Sequence, residues 1–152
     1  MSENKKIYYE SFEDAIERNR KKVPEINKKL KNAGVKYVLS SWIDLHGVPK
    51  TKPVPMSDFE LLCLGKGPQF AAHSISFVPE LTPADSDQIM LPDLDCVYIC
   101  PWDKSIAIIF ADFFWEGNLT MFVQGKHSNV RYKKLRMQVI RGWQVLNQNL
   151  LQ

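Results

Sequence analysis

The chain has 152 residues, 45% of them hydrophobic and 24% charged, with 20 Lys and Arg against 17 Asp and Glu for a net charge of +3. That length suits one domain around one core, and the composition excludes a disordered chain. So small a positive excess does not by itself argue for nucleic acid.

Residues 1–10 are polar and read as a frayed start. Ser11 followed by Asp14 resembles a capping box. Phe12, Ala15, Ile16, Val23, Ile26, Leu30 and Ala33 then recur at helical spacing, so 12–33 is expected to be mostly helix. Pro24 removes a backbone donor and is expected to split that helix in two, with Gly34 as its stop. The basic residues along it, Arg18 to Lys31, are mixed with acids and read as a solvated face.

The next stretch organises the chain. Val35, Tyr37, Leu39, Ser41 and Ile43 alternate with Lys36, Val38, Ser40, Trp42 and Asp44, the two-residue period of a strand. Asp44 stands at its end, Gly47 can supply positive φ to a turn, and Lys50, Lys52 and Val54 share a face of an outgoing strand. The spacing leaves two readings of Asp44 open: an ordinary polar turn residue, or a carboxylate presented to a ligand or a neighbouring subunit.

Ser57 with Glu60 predicts a capping box and a short helix over 57–64. Gly65-Lys66-Gly67-Pro68 is a turn without the glycine spacing or terminal Lys-Ser/Thr of a phosphate loop. Residues 69–86 carry little regular pattern, and His73 within them is either structural or ligand-contacting. Strands are expected at 88–91 and 96–100, broken by Pro92-Asp93. Ser105 to Phe114 reads as a central strand covered on both faces, interrupted by Asp112. Glu116-Gly117-Asn118 turns the chain into a strand over 119–123, and a polar loop follows. Leu135, Val139, Ile140, Trp143, Leu146 and Leu150 then form the apolar stripe of a terminal helix. That helix reads three ways: as core, as an oligomer contact, or as part of a longer chain. The sum is an α+β arrangement, a mixed sheet with helices packed on it.

Residues 1–33 lack the apolar segment of a secretory signal, and the run Ile106 to Trp115 is too short to span a bilayer. Three cysteines, an odd number, cannot pair completely within the chain, so a reducing cytoplasm is expected. Cys96 and Cys100 share a strand face as buried thiols, with too few partners for a zinc site.

The serial order of these features resembles the N-terminal β-grasp domain of the glutamine synthetase family, closest to its type III-like and γ-glutamylmethylamide synthetase branch. Trp42-Ile43-Asp44-Leu45-His46-Gly47-Val48-Pro49-Lys50 resembles the family's D-x-x-G loop and following strand, and Phe70-Ala71-Ala72 its F-A-G stretch. Leu81-Thr82-Pro83-Ala84, Ser86-Asp87, Leu91-Pro92-Asp93, Pro101-Trp102 and Ala111-Asp112 with Gly117 follow in the family's order. Ala72 replaces the family's Gly, the Pro-Arg motif of its linker helix is not recognisable, and the resemblance weakens from about Leu119.

The resemblance implies a helical segment over 1–34, a β-grasp domain over 35–125, and a linker with terminal helix over 126–152. It implies a ligase that joins glutamate to ammonia or an amine in a cytoplasmic homo-oligomer, this domain closing a neighbouring full-length subunit's site. Asp44 would then be the catalytic, ammonium-binding carboxylate, with Gly47 shaping its loop. ATP and Mg2+ or Mn2+ are implied for the full-length enzyme, in a catalytic domain this chain lacks. No cofactor or metal is expected here, and the isolated chain is expected to be inactive. The competing reading is a non-catalytic β-grasp interaction module that binds protein partners, among them a full-length synthetase. A nucleic-acid interface is disfavoured, because the aromatic residues lie in apolar strand patterns and are not interleaved with Lys and Arg.

Overall fold

The computed structural model describes residues 11–43, 48–71 and 82–119. They form an α+β fold, two helices against a curled mixed sheet, consistent with the β-grasp-like arrangement. The strands are β1 (Tyr37–Ile43), β2 (Pro49–Pro55), β3 (Gln69–Ala71), β4 (Asp87–Ile99), β5 (Ile106–Trp115) and β6 (Asn118–Leu119). They lie in the order β2-β1-β5-β4-β3, with β6 paired to the far end of β5. β1 and β5 run parallel and the remaining pairs antiparallel.

The first helix, α1 (Phe12–Asn32), starts where Ser11 Oγ accepts the Asp14 N–H at 3.1 Å. It ends as the Gly34 and Val35 amides donate to the Lys31 and Leu30 carbonyls, with Gly34 at φ 81°. Pro24 does not split it. The proline lies on the solvent face between buried Val23 and half-buried Ile26, so water can satisfy the carbonyl it leaves without a donor.

The second helix also departs from expectation. A 3-10 turn, Met56–Asp58, precedes α2 (Phe59–Cys63), and no side chain caps it, because Ser57 lies within the turn and its hydroxyl bonds the Asp58 carboxylate. Gln69–Ala71 is a strand where no pattern was evident: it borrows its ladder from Asp87, Gln88 and Ile89. Residues 87–99 form one strand where two were expected. The register shifts between Pro92 and Val97, so the proline makes an irregularity and not an end. Three features follow the sequence: the 35–55 hairpin, a central β5, and a Glu116-Gly117 turn with both residues at positive φ, 50° and 76°; the strand expected over 119–123, past Leu119, and the expected terminal helix lie outside the described residues. Cys63, Cys96 and Cys100 are buried and lie outside any disulfide.

The main core lies in the concavity of the sheet. Val23 and Leu30 of α1 and Phe59, Leu62 and Cys63 of α2 meet Val38, Trp42, Met90, Ile109 and Phe113. The first turns of α1 form a smaller cluster, Phe12, Ala15 and Ile16 against Leu91 and Phe114. Asn19 ties the layers together: its buried Nδ2 donates to the Cys63 carbonyl at 3.1 Å and the Pro92 carbonyl at 3.0 Å. On the opposite face of the sheet, Ile43, Cys96 and Phe110 make a third cluster with Tyr98 and Ile108, to which no described helix contributes.

Candidate functional site

The parallel register of β1 with β5 fixes which ends of the strands meet. β1 leaves the sheet at Ile43, β2 enters at Pro49, β3 leaves at Ala71, β4 enters at Asp87 and β5 turns at Trp115. All five lie at one end. The connections over 44–48 and 72–86 and the Glu116-Gly117 turn therefore start from the same rim, as binding loops on a rigid sheet commonly do.

Asp44 and Gly47 lie outside the described residues, as do His46 and His73. What is described is the stem that carries them. Ile43 pairs with Pro49, Trp42 with Lys50 and Ser41 with Thr51, so the ladder is intact up to the last residue before Asp44. A hydroxyl cluster stiffens it: Ser41 Oγ donates to Thr51 Oγ1 at 3.1 Å, and Thr51 Oγ1 to the Ser40 carbonyl at 3.2 Å.

Beneath this rim, on the concave side, lies an aromatic floor. The Trp42 ring is 4.3 Å from Phe70 and 5.4 Å from Phe113, edge on in both cases, and Phe70 is 5.3 Å from Phe113. Lys52 closes the curl from the opposite edge strand. Its Nζ sits 3.9 Å above the Phe70 ring and donates to the Gln69 carbonyl at 2.9 Å. Gln88, opposite Phe70 in the ladder, is fully buried, and among the described residues neither its amide atoms nor the Trp42 indole N–H finds a hydrogen-bond partner. Sequence reasoning missed Trp42, Phe70, Lys52 and Gln88 as a group, because the β2 and β3 edges meet only through the curl.

The rim is braced on its outer side. Asp85 Oδ2 accepts from the Thr82 N–H at 2.6 Å and the Thr82 hydroxyl at 3.0 Å, and the Trp115 indole donates to the Ser86 carbonyl at 3.1 Å. Thus Thr82 and Ser86 serve as turn and anchor. A strongly perturbed titratable group stands apart from the rim: burial pushes the Cys63 thiol from 9.0 to about 12, assisted by Glu60.

Two glycines of the α2–β3 turn are taken up by packing. A Cβ on Gly67 would stand 2.8 Å from Leu62 Cδ1, and one on Gly65 2.7 Å from Phe12, so these glycines serve helix packing and not a phosphate. Among the described residues no group of three His, Cys, Asp or Glu side chains comes together.

No family model matches the chain. Curated relatives do. The chain is 39% identical over 79 residues to a glutamine synthetase of Rhizobium meliloti, covering 52% of this chain and 18% of the relative. It is 29% identical over 114 residues to a glutamate–methylamine ligase of Methyloversatilis universalis, covering 75% of this chain and 25% of the relative. A Methanococcus voltae glutamine synthetase is 32% identical over 95 residues, covering 56% of this chain and 21% of the relative. Two solved structures of a protein called GmaS superpose on it, one without ligand (TM-score 0.57, 27% identity, 62% of this chain and 22% of that one) and one as an ADP complex (TM-score 0.55, 28% identity, 61% and 21%). The chain therefore spans a quarter or less of the length of these relatives. Sequence and fold together support a likeness of this chain to an N-terminal fragment of glutamine synthetase family proteins.

Proposed function

We propose that this chain supplies the amine-capturing loop of a glutamine-synthetase-like ligase. In this reading the loop borne by the β1–β2 stem reaches into an active site built on a neighbouring full-length subunit of a cytoplasmic homo-oligomer. The substrates are glutamate and ammonium or a small amine. Asp44 is the catalytic and substrate-binding residue. A carboxylate set against an ammonium ion lowers its energy in a shielded site and accepts a proton as the amine becomes a nucleophile. Gly47 allows the loop to turn. ATP and Mg2+ or Mn2+ belong, in this reading, to the catalytic domain of such an enzyme. In this reading 35–125 is the β-grasp domain, 1–34 its helical lead-in and 126–152 a linker.

One observation supports the reading: the Ile43–Pro49 pair closes the described stem at the loop-bearing end of a fold that superposes on GmaS. The test is the intact mass of the native polypeptide in its source cells, together with γ-glutamyl transfer by that purified species. Activity should reside in a species several times larger than 17.6 kDa, and Asp44→Ala there should lower amine-dependent turnover at least 100-fold. Stoichiometric ATP·Mg2+ binding or turnover by the 152-residue chain alone would overturn the reading.

The apolar face opposite the helices, with Tyr37 and Trp102 48% and 42% exposed, favours a second reading as a non-catalytic interaction module. Co-purification with a full-length synthetase separates co-assembly from a freestanding role.

A further inference from the structure

The two edge strands of the sheet touch each other. β1, β5 and β4 lie between β2 and β3, so in a flat sheet these edges would stand roughly 19 Å apart at the usual strand spacing. The curl instead brings Trp42 of the β1–β2 hairpin to 4.3 Å from Phe70 of β3. Lys52 of β2, half-buried, bridges the same two elements. Its Nζ donates to the Gln69 carbonyl at 2.9 Å and lies 3.9 Å from the centre of the Phe70 ring. A hydrogen bond from a charged donor is stronger than a neutral one, and the ring face adds its own attraction for the cation.

The two sides of this bridge are held unequally. β2 pairs with β1 over seven consecutive residues, with Lys52 opposite buried Ser40. β3 has three residues, and its ladder to β4 consists of the pairs at Gln69, Phe70 and Ala71. So short an edge strand is among the first parts of a fold to open. What it closes over adds to that tendency. The Trp42 indole N–H and both amide atoms of Gln88, the residue opposite Phe70, are buried without a hydrogen-bond partner among the described residues. Closing the curl takes these three atoms out of water and returns no hydrogen bond to them.

We propose that Lys52 is a latch. It holds β3 against the β1–β2 hairpin in a closed state that the buried Gln88 amide and Trp42 indole disfavour, so that β3 opens as a unit, separately from the rest of the sheet, when the latch is released. Opening would part the β1–β2 stem from β3 at the rim and give water access to the aromatic floor. The latch stands apart from the amine-site reading, which is tested by turnover and not by the opening of β3.

Hydrogen exchange of the 152-residue chain, followed residue by residue by NMR, tests it. Lys52→Met keeps the apolar stem and removes the charge and the donors. In this variant the protected amides of the β3–β4 ladder should exchange about tenfold faster or more, with those of the β1–β5 ladder unchanged. Lys52→Arg keeps a cation and a donor and should stay within about threefold of the unchanged chain. Adding Gln88→Met to Lys52→Met removes the buried amide and should slow β3–β4 exchange again by about threefold or more. Unchanged β3–β4 exchange in Lys52→Met overturns the proposal. Equal acceleration in both ladders also overturns it, since Lys52 would then contribute only to global stability. So does a double variant that exchanges as fast as Lys52→Met alone, because the buried amide would then not disfavour the closed state.

Discussion

Two buried amides illustrate how context sets the value of a polar side chain. Asn19 and Gln88 are both fully buried, but Asn19 satisfies two carbonyls from different elements and Gln88 satisfies none. Removing a partner from a buried acceptor costs more than the bond itself contributes. Asn19→Ala is therefore expected to lower the unfolding free energy by about 2–4 kcal/mol, read from urea denaturation with an unchanged slope. Gln88→Met keeps the volume and removes two unsatisfied atoms, so it should stabilise by about 1–2 kcal/mol in the same assay. The Cys63 thiol sets a pH effect. Its acid form is held to about 12 in the fold against 9.0 when exposed, so below pH 9 it has no influence. As pH rises from 9 to 12 the unfolded chain ionises while the fold cannot, and stability falls by up to about 1.4 kcal/mol per pH unit. Cys63→Ala should flatten that alkaline limb of the pH–stability curve.

The ends of α1, the 35–55 hairpin and the central strand were legible because each rests on local chemistry. Ser11 and Gly34 bound α1, and alternation in 35–43 sets β1. What escaped was set by partners far away in the chain. Phe70 becomes strand because Gln88 is opposite it, and Pro92 stays within a strand because β5 holds both sides of the irregularity. Pro24 is the same lesson in a helix: local chemistry favoured a break, and burial of Val23 and Leu30 on either side outweighed it. Pro24→Ala restores a donor to an exposed turn and should raise stability by about 1–3 kcal/mol, measured by thermal melting of the helical signal. Of the site, sequence identified Asp44 and Gly47, which lie outside the described residues, whereas the Trp42–Phe70–Phe113 floor required the curl of the sheet.

At the scale of the molecule, Gly67 packs closely against α2. A Cβ there would stand 2.9 Å from the Leu62 backbone, which cannot yield as a side-chain tip can. Gly67→Ala should destabilise by about 1–3 kcal/mol. Gly34→Ala, with nothing within 4 Å but a φ of 81°, should cost about 1 kcal/mol. The contrast, followed by denaturation of both variants, separates steric from conformational demand.

The β2 edge carries a consequence for assembly. Its register opposite β1 places Pro49, Pro53 and Pro55 in line with Thr51, at the positions whose amides point away from the sheet. Proline has no N–H, so this outer edge offers a donor only at Thr51. A strand arriving from another molecule would find a row of carbonyls with almost nothing to give in return. Growth of the sheet by edge addition, the route to fibres and swapped oligomers, is blocked there by composition. Any partner of this fold is thereby steered away from β2, towards the broad faces of the sheet or the rim where its loops begin.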